Sequence, residues 1–197
     1  MESMPPMMER LKAATGAEHA RLEAQVDLAR LVASPESYHA LLQRFYGFYL
    51  PLEQRLAAFA WQTVAFDLAP RRKTPLLVQD LLCLGETAAT LTQLPRCAEL
   101  PELGDQAAAC GCLYVLEGAT LGGQFITRHL RRTLGLQPTN GAAFFYSYGD
   151  QVGPMWKNFG AFVNAYALSH PGSAATIIRA ACTTFHTLGA WLDRRAW

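Results

Sequence analysis

No two cysteines in this chain are spaced C-x-x-C, and the five that occur (Cys83, Cys97, Cys110, Cys112, Cys182) make an odd number. That argues against both a disulfide framework and a zinc site, and for free thiols in a reducing compartment. Cys110 and Cys112 read as small packing residues. No segment reaches the ~20 uninterrupted apolar residues of a membrane span. The opening Met-Glu-Ser-Met-Pro-Pro has no apolar stretch behind its charge, so no signal peptide and no membrane association are expected, and the expected location is cytoplasmic. With a net charge of +1 and no basic run interleaved with aromatics, nucleic acid is not an expected partner. A flavin or nicotinamide glycine fingerprint is also missing, so electrons for any redox chemistry must come from outside.

What the chain does have is helical spacing of apolar residues almost throughout its 197 positions, 51% of which are hydrophobic. That length suffices for one sizeable core and is short for two. The periodicity predicts helices over 8–32, 35–59, 74–94, 104–135, 152–168 and 171–194. Ser34-Pro35-Glu36 supplies an N-cap and a proline at the first helical position. Leu134-Gly135 ends a helix, Ser169-His170-Pro171-Gly172-Ser173 is a short turn, and Pro51 falls inside the second helix as an expected kink. No linker, repeat or low-complexity tract divides the sequence. The expected fold is therefore all-α, a single domain over 1–197, with 1–8 a flexible N-terminus.

Two helical segments carry chemistry. In the first, His19 and Glu23 are four apart on one face, and Lys12 precedes His19 by seven. A carboxylate so placed can accept a hydrogen bond from one imidazole nitrogen, which fixes the tautomer and frees the other nitrogen for a metal. Lys12, two turns or about 10 Å away, could meet an acidic group on a large ligand centred at His19. Taken alone, the same residues are an ordinary surface pair worth a few tenths of a kcal/mol.

The second segment, Leu113-Tyr114-Val115-Leu116-Glu117-Gly118-Ala119-Thr120-Leu121-Gly122-Gly123-Gln124, is helical in period yet holds three interior glycines. Each costs about 1 kcal/mol relative to alanine, a large concession against a total stability of about 5–15 kcal/mol. Absent side chains let a flat ligand lie against the backbone, or let another helix pack closely through Gly118 and Gly122. The sequence leaves both explanations open. The aromatic stretch Phe45, Tyr46, Phe48 and Tyr49 reads as core. His39, His129, His170 and His186 lack a carboxylate four residues away and form no ligand cluster.

Together the two segments resemble the heme (haem) oxygenase family. Leu11-Lys12-x-x-Thr15-x-x-x-His19-x-x-x-Glu23 is similar to its proximal helix, and Gly118-x-x-x-Gly122-Gly123-Gln124 to its distal helix. Gly141-Ala142-Ala143-Phe144-Phe145 followed by Trp156-Lys157 resembles the segment bearing a propionate-binding lysine, and Phe185 falls where the family has a pocket phenylalanine. The match runs in order over residues 10–190. It implies a helical bundle holding heme b between a proximal and a distal helix, with His19 the axial iron ligand steadied by Glu23. Lys12, Tyr114 and Lys157 would meet the propionates. Gly118, Ala119, Gly122 and Gly123 would form the oxygen-side wall. The implied activity is oxidative opening of heme to biliverdin, iron and carbon monoxide, with the α isomer as the default.

Two departures stand out. Animal-type members carry an aspartate where this chain has Ala119, and an arginine where it has Ala161. The first matches the bacterial, biliverdin-producing branch, to which Leu113–Gly122 is most similar, and leaves proton delivery to ordered water, with Thr120 one holder. The resemblance also implies a ferredoxin, flavodoxin or reductase as electron donor, for which Arg128, Arg131 and Arg132 are a possible dock. The same cations equally complement a helix C-terminus. A biliverdin-accepting phytochrome is a possible downstream partner. A heme carrier or sensor on the same fold, and a helical scaffold that binds no heme, are the competing functions.

Overall fold

A computed structural model describes residues 5–193. Nine α-helices occur among them: α1 (Met7–Gln25), α2 (Leu28–Leu31), α3 (Pro35–Ala57), α4 (Thr74–Cys83), α5 (Ala88–Gln93), α6 (Gln106–Thr133), α7 (Ala143–Tyr146), α8 (Val152–Ser169) and α9 (Ser173–Leu192). Short 3-10 turns complete the described residues, which contain no strand. The all-α expectation holds.

Two expected helices are broken. The first stops at Val26, and four residues of α2 follow. The third predicted span, 74–94, divides into α4 and α5 because Gly85 takes a left-handed φ of +102°, after which Thr87 caps a new helix by accepting from the Thr90 amide. Elsewhere the local chemistry acts as anticipated. Ser34 accepts from the Ser37 amide in a reciprocal cap. Asp105 accepts from the Ala108 amide at 2.7 Å. Gly135, with φ +67°, lets the Leu136 amide turn back to the Leu130 carbonyl. The first helix starts at Met7, whose side chain is buried, and the Met8 amide donates to Asn164 Oδ1 at 3.0 Å. The rest of the expected flexible segment, residues 1–4, lies outside the described residues.

Pro51 cannot donate to the Gly47 carbonyl one turn behind it. The Cys97 amide does so instead, at 2.9 Å. A Cβ at Gly47 would collide with the Pro95 carbonyl, so the glycine–proline pair makes a seat for the 94–97 strap.

The central helix α6 packs most extensively on α9, and α1 on α9 as well. The α6–α9 contact is close because Gly111 has no side chain: a Cβ there would collide with the Ile177 carbonyl. Buried positions of α6 run nearly without interruption from Ala107 to Glu117 and then thin out. On α1 the buried positions Met7, Leu11 and Thr15 form a stripe whose continuation is His19, Leu22 and Val26. The N-terminal halves of α1 and α6 bury that face in protein. Their C-terminal halves bury it in a cavity.

Candidate functional site

That cavity measures about 300 Å³, at the lower end of the range for ligand sites. One wall is α1 and α9, through His19, Leu22, Glu23, Val26, Phe185 and Leu188. The other is the stretch of α6 from Tyr114 to Ile126. Phe45 and Tyr49 of α3 with Phe144 and Phe145 of α7 line it further, and Trp156 of α8 sits against Tyr114, ring centroids 5.6 Å apart.

On the first wall, His19 Nδ1 lies 3.5 Å from Glu23 Oε2, and the Phe185 ring meets the imidazole edge-on at 5.6 Å. A carboxylate on that side favours the tautomer with its proton on Nδ1, the one that leaves Nε2 open to a metal. Both side chains of the pair are more than half exposed, the histidine at 56%. The pair therefore adds little to folding, and its geometry is kept by the helix and by the Phe185 ring beside it.

The second wall resolves the glycine question. A Cβ at Gly122 would meet nothing within 4 Å, and one at Gly118 would only touch Trp156 at 3.8 Å. These two glycines keep space open in the cavity wall and do not serve helix packing. Gly123 differs. A Cβ there would strike the Phe145 carbonyl, so its role is close approach of α7, a correction to its assignment to the ligand surface alone. Thr120 lines the cavity, but its hydroxyl proton is committed to the Glu117 carbonyl at 2.7 Å, leaving it only as an acceptor for water.

Behind this wall lies a buried ionic cluster. Glu117 is 1% exposed, and its carboxylate accepts from Arg71 Nη1 at 2.5 Å and from the Tyr148 hydroxyl at 2.6 Å. Lys73 Nζ stands 3.7 Å from the same carboxylate, 3.7 Å above the Tyr148 ring, and donates to the Arg71 carbonyl at 2.8 Å. Glu53 accepts the backbone amides of Lys73 and Thr74 and lies 3.6 Å from Arg72 Nε. Burial pushes the Lys73 ammonium down to about 8, against the opposing pull of Glu117 and Glu53. Burial, with the charges of Glu53 and Glu117, holds the Tyr49 phenol well above its ordinary value, so it stays protonated.

Of the residues singled out from sequence, His19, Glu23, Tyr114, Gly118, Ala119, Gly122, Gly123 and Phe185 all line the cavity. Lys12 and Lys157 do not: both are exposed on the outside of their helices, and it is Trp156 that faces inward. Phe45 and Tyr49 are cavity wall as well as core, a correction, whereas Tyr46 and Phe48 are buried away from the lining. Lys73 and Glu117 were not anticipated as site residues. The available signal was a carboxylate directly before the first distal glycine, on the apolar side of its helix.

An imidazole with a tuned tautomer on one helix, bare backbone on the facing helix and an apolar slot between them define a helical protein with a built-in berth for a flat, metal-bearing ligand. A family model described as heme oxygenase matches residues 6–194, and the chain belongs to the heme oxygenase family. It is 30% identical over 155 residues to the heme oxygenase of Xanthomonas campestris pv. campestris (strain 8004), covering 77% of this chain and 88% of that one. The fold is shared with the NO- and CO-bound heme oxygenase of Neisseria meningitidis, with a TM-score of 0.81 at 24% identity over 96% of this chain and 91% of that chain. It is also shared with the heme oxygenase of Leptospira interrogans, with a TM-score of 0.77 at 15% identity over 96% and 99% of the two chains. The protein is thus an enzyme of the oxidoreductase class. Among the described residues no helix is long and apolar enough to cross a membrane, and no cluster of three or more His, Cys, Asp or Glu forms a separate metal site.

Proposed function

We propose that this chain binds heme b in the slot between α1 and α6 and opens it to biliverdin, ferrous iron and carbon monoxide, with the α isomer as product. The observation that carries this is the opposition of His19, steadied by Glu23 and Phe185, to a wall left open at Gly118 and Gly122. When bound, heme supplies both the iron that activates oxygen and the ring that is consumed. His19 would hold the iron through Nε2, with Glu23 on the Nδ1 side orienting the ring. The small residues Gly118, Ala119 and Gly122 leave room on the oxygen side and restrict the directions a small ligand can take. Val26, Phe45 and Phe144 exclude bulk water, which strengthens each remaining polar contact. Tyr114, which lines the slot, meets a propionate there, and the exposed Lys12 and Lys157 reach the propionates only where these emerge into solvent; together they select which ring edge faces the open wall. Electrons come from a ferredoxin, flavodoxin or reductase docking at Arg128, Arg131 and Arg132, which are exposed just beyond the slot. Biliverdin then passes to an acceptor such as a phytochrome.

The test is to add heme, oxygen and a competent reductase system and follow the Soret band, with chromatography of the tetrapyrrole products. Loss of the band with appearance of α-biliverdin is the expected result. A Soret band that forms and persists would mean a carrier or sensor, and no band at all would mean a scaffold.

A further inference from the structure

Of the side chains lining the cavity, His19, Glu23 and Lys73 carry groups that ionise between acid and mildly alkaline pH, and Lys73 stands apart from the α1 pair, against α6. Its side chain is 3% exposed, a costly place for an ammonium. The cluster would be satisfied without it, since Arg71 and Tyr148 already saturate much of Glu117. Nor is its side chain needed to anchor the loop, because the backbone amide is what Glu53 grips. An ammonium has three N–H groups. The Arg71 carbonyl takes one, and Glu117, at 3.7 Å, lies beyond normal hydrogen-bond length. The third N–H faces the Tyr148 ring, 3.7 Å from Nζ, so two of the three donors make only long contacts, and because Lys73 lines the cavity, water there can compete for them.

We propose that Lys73 is a positioning residue for the oxygen side of the site: its ammonium, leashed by Glu117, orders and polarises the water that carries protons into the cavity. This rests on the heme reading above and deepens it. The groups facing the ammonium are Glu117 from α6, Glu53 from α3, Arg71 from its own loop, and the Tyr148 ring from the segment after α7. Of these, the two carboxylates hold the charge in place and Arg71 opposes it. A cation at this position lowers the proton affinity of nearby water, and in a dry cavity that influence reaches several ångströms.

The test compares wild type with K73M and K73R. In the ferric heme complex, a pH titration of the Soret band reports ionisation of the water facing the iron. K73M is expected to move that midpoint upward by about one pH unit or more, to slow heme consumption about tenfold or more, and to leave heme affinity within about threefold. K73R, always charged, is expected to keep the low midpoint.

The heme-free protein gives a second readout. The buried lysine binds its proton less tightly folded, at about 8, than its ordinary 10.5, so wild type should gain thermal stability relative to K73M as pH rises from 8 to 10.5. Should K73M fail to fold, K73R carries both titrations. A midpoint in K73M unchanged within about 0.2 units would overturn the proposal. So would a loss of heme affinity as large as the loss of turnover, which would make Lys73 a ligand anchor. A wild-type chain with no Soret band overturns the heme reading as well. One that consumes heme while K73M matches it overturns this inference alone.

Discussion

The two walls of the slot are built in opposite ways. On α1, His19 and Glu23 are exposed, four residues apart, and held by their own helix with one ring contact from Phe185. On the α6 side the polar groups are buried and come from four separate stretches of chain, around Glu53, Arg71–Lys73, Glu117 and Tyr148. A local, exposed pair can be lost without structural cost, which leaves it free for a ligand. A buried, multi-segment cluster must hold the fold together before it can serve anything else.

The sharpest way to break this contrast is Glu117→Ala. It strands the Arg71 guanidinium, itself only 8% exposed, without its carboxylate, and should cost about 3–5 kcal/mol in urea denaturation of the heme-free chain. A loss under about 1 kcal/mol would mean the cluster is well hydrated and the contrast is false. Next in size, His19→Ala should weaken heme binding by about 100-fold or more, while shifting the heme-free stability by no more than about 0.5 kcal/mol, as for other exposed substitutions. Heme titration and denaturation of the same sample separate the two effects. The smallest effects distinguish glycines on the one helix α6. Gly111→Val drives a side chain into the Ile177 carbonyl and should destabilise by about 1–3 kcal/mol or more. Gly122→Ala meets no neighbour and should stabilise by up to about 1 kcal/mol, with a several-fold loss of heme affinity as its mirror.

The same contrast decides what was legible in the sequence. His19–Glu23 and the distal glycines are local patterns, and helical spacing alone puts their residues on a common face. The helix boundaries were legible where a cap or a left-handed glycine is local, as at Ser34 and Gly135, and illegible at Val26–Asp27, where no glycine or proline marks the break. Lys73 and Glu117 are far apart in sequence and meet only because the loop before α4 is carried against α6, where Arg71 and Lys73 reach the Glu117 carboxylate. No spacing rule reports that. Phe45 and Tyr49 were taken for core because aromatic periodicity is the same whether a helix faces protein or a cavity.

Pro51 has a consequence for the order in which this chain assembles. An isolated α3 leaves the Gly47 carbonyl without its usual helical partner, and the amide that fills the gap arrives from Cys97, after α4 and α5. The hydrogen-bonding of the middle of α3 is thus completed only by a tertiary contact. Phe45 and Tyr49 flank that carbonyl, one turn of helix that also forms part of the slot. Exchange protection of the Cys97 amide should therefore rise together with the appearance of the binding site during refolding, a clock for the moment the cavity takes shape.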